Sequence, residues 1–138
     1  MSIVQGQTTS FKVELYEGIH DLLTDTLKIA LYTANADLNQ STTVYTTSNE
    51  VTGTGYSAGG KVLTGTTVSS SGTVASVDFD NVIWDPASFT ARCALIYNSS
   101  KADRSIAVLD FGSDKTTTTK FTITMPTNSA TNALIRMD

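Results

Sequence analysis

The first patterned stretch of the chain is Phe11, Leu15, Ile19, Leu22 and Leu23, apolar at three- and four-residue spacings behind Ser10, a hydroxyl suited to cap a helix. This spacing predicts one amphipathic helix of about three to four turns, preceded by a polar, flexible arm over residues 1–9. The period then changes to two. Leu27, Ile29 and Leu31 share one face of a strand within Thr26–Thr33. Residues 34–60 are polar and rich in Thr, Asn and Gly, with a short strand expected at Val44–Thr46. A connection this long is commonly a contact surface.

Beyond it, Lys61–Ser69 and Thr73–Asp80 read as a hairpin turning at Ser70-Ser71-Gly72, with Ala75, Val77 and Phe79 inward. Val82-Ile83-Trp84 is a short apolar strand stopped by Asp85-Pro86. Ser88–Asn98 alternates, placing Phe89, Ala91, Cys93, Leu95 and Tyr97 on one face. Arg104–Phe111 forms a further strand, ended by Gly112-Ser113-Asp114. Lys120–Met125 and Asn132–Asp138 close the count at seven or eight. The expected fold is therefore mainly all-β: an antiparallel β-sandwich, jelly-roll-like, with one N-terminal α-helix and a single domain over residues 10–138.

Composition sharpens this picture. Ser and Thr supply 39 of the 138 residues, while charged residues make only 16%. Thr suits a half-exposed pleated face. A net charge of −4 argues against nucleic acid or an anionic membrane as partner. Residues 1–9 carry no basic cluster or apolar run, and no apolar stretch approaches the roughly 18 residues of a spanning helix. The expectation is a soluble chain made in a cytoplasm.

Candidate chemistry is sparse. His20 is the only histidine and Cys93 the only cysteine, so neither a zinc cage nor an internal disulfide can form, and no cofactor is expected. His20 reads as a surface residue of the helix, Cys93 as a small buried apolar one. Asp78 and Asp80 share a strand face near Asp85 and Asp110, which suggests an acid pair or a cation site. The simpler reading is solubilising strand ends. Gly53-Thr54-Gly55-Tyr56-Ser57-Ala58 fits a relaxed dinucleotide fingerprint but opens no helix, so it is rejected. The triplets starting at Asn39 and Asn98 match a glycosylation pattern that has no meaning without secretion. Tyr45, Tyr56 and Trp84 lie outside the clearest faces and, if exposed, would stack on a sugar or anchor an interface. Trp84 sits in an apolar triplet that favours the core. Tyr56, with Gly59 and Gly60 nearby, is the candidate exposed contact.

Four segments carry a likeness: residues 28–33 (KIALYT), 49–60 (NEVTGTGYSAGG), 91–98 (ARCALIYN) and 108–112 (VLDFG). Together they resemble short virion structural proteins of tailed double-stranded-DNA bacteriophages, and are most similar to head decoration or cement proteins. The resemblance runs from Phe11 to the end and rests on packing and turn residues, so it brings no catalytic residue. It implies a jelly-roll-like, non-enzymatic protein on the capsid surface. Its partners would be the major capsid protein and itself, as a homodimer or other small oligomer. The alternative is a tail, fibre or adaptor component with a carbohydrate-binding face.

Overall fold

The computed structural model describes residues 3–126 and 133–137. Its elements in order are β1 (Gly6–Gln7), α1 (Thr9–Tyr16), β2 (Leu27–Tyr32), β3 (Lys61–Val62), β4 (Thr67–Ser71), β5 (Val74–Asp78), β6 (Val82–Trp84), β7 (Phe89–Asn98), β8 (Arg104–Thr117), β9 (Phe121–Ile123) and β10 (Ile135–Met137). The fold is mainly β with one helix, as the alternation predicts. All the strand pairs are antiparallel, in a five-stranded sheet β1-β8-β7-β2-β3, a three-stranded sheet β10-β5-β4 and a two-stranded sheet β6-β9. That order differs from the two four-stranded sheets of a jelly roll. The long β7–β8 ladder, with strands of 10 and 14 residues, instead gathers β1, β2 and β3 around itself.

The large sheet is covered on both faces, which explains the nearly unbroken burial along β2 and the second half of β7. One face packs Ile29, Leu31, Ala94, Ile96 and Ile106 against Val77 and Ile135 of the three-stranded sheet and Trp84, Phe121 and Ile123 of the two-stranded one. The opposite face carries Ala30, Tyr32, Cys93, Leu95, Tyr97 and Val108 under Ala36, Leu38, Ile3 and Tyr45. Residues 33–60 thus cover a second core.

Several expectations are corrected. The helix is capped by Thr8, not Ser10: the Thr8 hydroxyl accepts from Phe11 N–H at 3.3 Å. It also ends at Tyr16. Gly18 takes φ +72°, its N–H bonds Leu15 C=O at 3.1 Å, and Ile19 N–H bonds Glu14 C=O at 3.0 Å. These two bonds form a Schellman stop, so Leu22 and Leu23 lie beyond the helix. Residues 3–9 of the expected flexible arm are tied down, since Gly6 and Gln7 pair with Val108 and Ala107, and Val4 N–H bonds Leu38 C=O at 2.9 Å. The open edge of β8 supplies the partner. Val44 makes only an isolated bridge to Arg104. The hairpin turns at Gly72-Thr73, one residue later than expected, and Ala75 is exposed. Met1, Ser2, Asn132 and Asp138, at the ends of the expected arm and last strand, lie outside the described residues.

Alternation along β7 breaks after Ala91. Phe89 and Ala91 belong to the same core as Ala94 and Ile96, whereas Cys93, Leu95 and Tyr97 face the other. The ladder jumps from Ala91↔Lys115 to Cys93↔Asp110, leaving residues 111–114 of β8 opposite the single Arg92. Such a bulge exchanges the faces of every residue beyond it. Gly112 serves this excursion with φ +83°, so the predicted turn residues bend β8 without ending it.

Gly60 marks the closest backbone approach. It has φ +78°, and a Cβ there would lie 1.8 Å from Ile29 C=O. Gly112 has similar φ but nothing within 4 Å of a Cβ. Gly60→Ala is expected to cost at least about 3 kcal/mol, against about 1–2 kcal/mol for Gly112→Ala. Denaturant midpoints of the two variants measured side by side check this difference.

Candidate functional site

Four of the five residues singled out as contacts, Tyr45, Tyr56, Gly59 and Gly60, come together along the outer side of β2 in the large sheet, with Trp84 behind them. Their centre is a residue the sequence reading passed over. Glu50 accepts from Tyr45 Oη at 2.6 Å on one carboxylate oxygen, and from Tyr56 Oη and Gly59 N–H, the latter at 2.8 Å, on the other. Tyr97 Oη donates to Gly59 C=O at 2.6 Å, and Leu31 N–H donates to Tyr56 Oη at 2.9 Å. Tyr45 stacks on Tyr97 with ring centroids 4.6 Å apart, and Tyr56 stands edge-on to Phe89 at 5.9 Å. Trp84 is 1% exposed.

This arrangement is a clasp. A carboxylate holding three donors gathers residues 45–60 on themselves, the bonds from Leu31 N–H and Tyr97 Oη tie them to strands β2 and β7, and the tyrosine hydroxyls are used internally. Burial, reinforced by the Glu50 carboxylate, pushes the Tyr45 and Tyr56 hydroxyls well above the ordinary phenol range. Burial likewise raises Tyr97 to about 12, with Asp103 and Glu50 adding to it. None of these groups is poised as an acid or base near neutrality. Tyr56 is therefore an internal strut and Trp84 a core residue. The surface the clasp presents is the rim of exposed Ser48, Asn49, Thr52, Thr54, Ser57 and Ala58. A glutamate just before the glycine-rich run was the available signal; nothing in local periodicity says that its oxygens collect hydroxyls from Tyr45 and Tyr56.

His20, expected on the helix surface, is buried behind the helix stop. Its ring packs on Phe11 at 5.1 Å. Asn98 Oδ1 accepts from Ser100 N–H, which leaves its amide nitrogen to donate to Asp25 Oδ2 at 2.8 Å and to His20 Nδ1 at 3.0 Å. His20 Nε2 therefore carries the hydrogen shared with Glu14 Oε1 at 2.8 Å. Lys101 bonds Asp25 at 2.9 Å and Arg104 bonds Glu14 at 3.0 Å. The cluster ties α1 and residues 20–25 to the end of β7. Asn98, wholly buried with its amide engaged, offers no sugar-acceptor nitrogen.

The acid-pair reading gains no geometry. Asp80 is exposed beside Gly65 and accepts from Thr64 Oγ1 at 3.3 Å, Asp85 is exposed, and Asp110 pairs with Arg92 at 3.5 Å. Asp78 ends β5 with one buried oxygen that has no hydrogen-bond partner. Among the described residues no three His, Cys, Asp or Glu side chains are placed to hold a metal ion, and no helix is long and apolar enough to cross a membrane. Cys93 is fully buried, and burial with the nearby Asp110 charge pushes its thiol up to about 12. A groove of about 520 Å³ lies between the segment around Leu22 and Leu23 and the face of the three-stranded sheet bearing Val68, Val77 and Met137.

Two outcomes test this description. Glu50→Ala leaves three donors without their acceptor and is expected to destabilise the fold by about 2–4 kcal/mol, read from denaturant unfolding. Burial on its own would raise the Asp25 carboxyl; bonds from Asn98, Asp21 N–H and Lys101 outweigh it and hold the group at about 2 against an ordinary 3.8. A depressed carboxyl stabilises the fold above its unfolded value and loses that contribution as pH falls through its folded one. The thermal midpoint should accordingly drop between pH 4 and pH 2, and Asp25→Asn should flatten that slope.

Comparison of the chain with models of known protein families, with characterised proteins and with solved structures finds no match in any of the three.

Proposed function

We propose that this chain is a bacteriophage head decoration protein: it binds the outside of the assembled capsid and stabilises the lattice of the major capsid protein. The observation that carries the reading is where the resembling segments lie. Residues 28–33, 91–98 and 108–112 fall on three adjacent strands, with Tyr32 opposite Cys93 and Cys93 opposite Asp110. Residues 49–60 attach to the same unit through the Tyr32–Glu50 bridge and the bonds of Leu31 N–H to Tyr56 and of Tyr97 Oη to Gly59 C=O. The likeness thus follows a frame that folds as one piece, whose hydroxyl-rich rim and loops are left to meet a shell. A protein that binds only the expanded lattice stabilises it by mass action, and many copies make modest contacts sufficient. Acidic net charge suits a position outside the DNA-filled interior. The tail or fibre reading with a sugar-binding face loses its aromatic platform, because Trp84 is core and the Tyr56 hydroxyl is bonded inside.

Virions lacking the chain should release DNA at lower temperature and in dilute buffer, and adding the purified protein should restore resistance. Reconstruction of the intact particle should place it at capsid subunit junctions with icosahedral repetition. Equal resistance with and without the chain, or density confined to the tail, overturns the reading.

A further inference from the structure

We propose that two copies of this chain associate through the outer edge of β4, extending the three-stranded sheet across a two-fold axis. The inference is independent of the capsid reading. Strand β4 lies at the edge of its sheet, and among the described residues none pairs with its outer side. All five of its residues, Thr67 to Ser71, are exposed. Natural edges of this kind are guarded by charge, proline or a bulge. Here the strand has no charge and no proline, and its ladder to β5 runs without a register shift.

The turn fixes which groups point outward. Gly72-Thr73 is a two-residue connection, with Gly72 at φ +61°, so its flanking pair Ser71↔Val74 is hydrogen-bonded. Bonded pairs alternate, which directs the backbone of Thr67, Ser69 and Ser71 to β5 and that of Val68 and Ser70 away from it. An antiparallel second copy centred on Ser69 sets Val68 opposite the other Ser70, and Ser70 opposite the other Val68. Each of these two pairs exchanges both backbone bonds, and all five residues are matched. A second copy is the occupant that fits, because the edge is complementary to itself. In a chain of net charge −4, this strand brings no like charges face to face.

Side chains support the same assignment. The face carrying Val68 continues inward as the rows Val68·Val77·Ile135 and Ser70·Ala75·Met137. Val68 is 49% and Met137 45% exposed, and Leu23 beside them 61%. Pairing narrows the open side of this apolar surface, placing the two Val68 side chains diagonally across the junction, within reach of each other. A contact of five residues per copy is small beside a standard stable interface, so the association depends on concentration.

Sedimentation velocity from micromolar to submillimolar protein tests this directly. The wild-type mass should rise from 14.7 kDa towards twice that value. Ser70→Pro removes an outward N–H without touching the ladder to β5, and is expected to weaken association at least about tenfold while keeping the thermal midpoint. The double variant Val68→Lys/Ser70→Lys sets like charges opposite each other and should stay monomeric. Val68→Glu/Ser70→Lys sets opposite charges there and should dimerise. Both double variants replace the same valine by a charged residue, and equal thermal midpoints of the two assign their difference to association and not to folding. A wild-type chain that remains monomeric throughout overturns the proposal. So does a dimer indifferent to Ser70→Pro, or one in which the two double variants behave alike.

Discussion

A strand with apolar side chains on both faces must be covered on both faces, and in this protein that constraint falls on β2 and β7. From Cys93 to Asn98 every residue of β7 is buried, and from Ile29 to Tyr32 every residue of β2. The two smaller sheets cover one face. They cannot also reach the other, so the polar stretch 33–60 and the amino-terminal residues cover it. The rest of the molecule follows. A polar loop can lie on a core only if its backbone groups find partners. The Glu50 clasp, the pairing of Val51 N–H with Leu31 C=O and that of Tyr45 N–H with Asp103 C=O supply them.

The same constraint explains the two polar clusters. Each stands where a connection crosses the margin of the large sheet, Glu50 beside β2 and β7, and His20 with Asn98 where β7 ends. Both are closed sets in which carboxylates meet hydroxyls, amides or cations. Such sets fix one arrangement of the chain, since a partly satisfied buried network is costly. Their hydrogen-bonding capacity is spent inward.

Much of this was legible beforehand because strand periodicity and turn residues are local. Leu27, Ile29 and Leu31 share a face as expected, as do Phe121 and Ile123, and Trp84 is core. Gly18 carried the helix stop in plain view, but the apolar spacing of Ile19, Leu22 and Leu23 outweighed it. Leu22 and Leu23 are apolar where they border the three-stranded sheet. The swap of faces in β7 was not legible, for it depends on a four-residue excursion in another strand. At the candidate site, proximity was readable and direction was not. Tyr45, Tyr56, Gly59 and Gly60 do gather, yet whether a tyrosine hydroxyl faces water or a carboxylate depends on where residues 45–60 land. Glu50 was passed over because its partners, five to nine residues away, meet it only through the course of the loop, and His20 was misplaced because Asn98 reaches it from across the fold.

Cys93 gives the double cover a practical meaning. Its sulfur lies in the layer beneath residues 33–60, on a strand whose other side faces the main core. A thiol reagent in solution can reach it only after that layer lifts. The rate of its modification therefore counts how often the cover opens, separately from unfolding of the whole chain. The protein carries within its own sequence a clock for its least regular part.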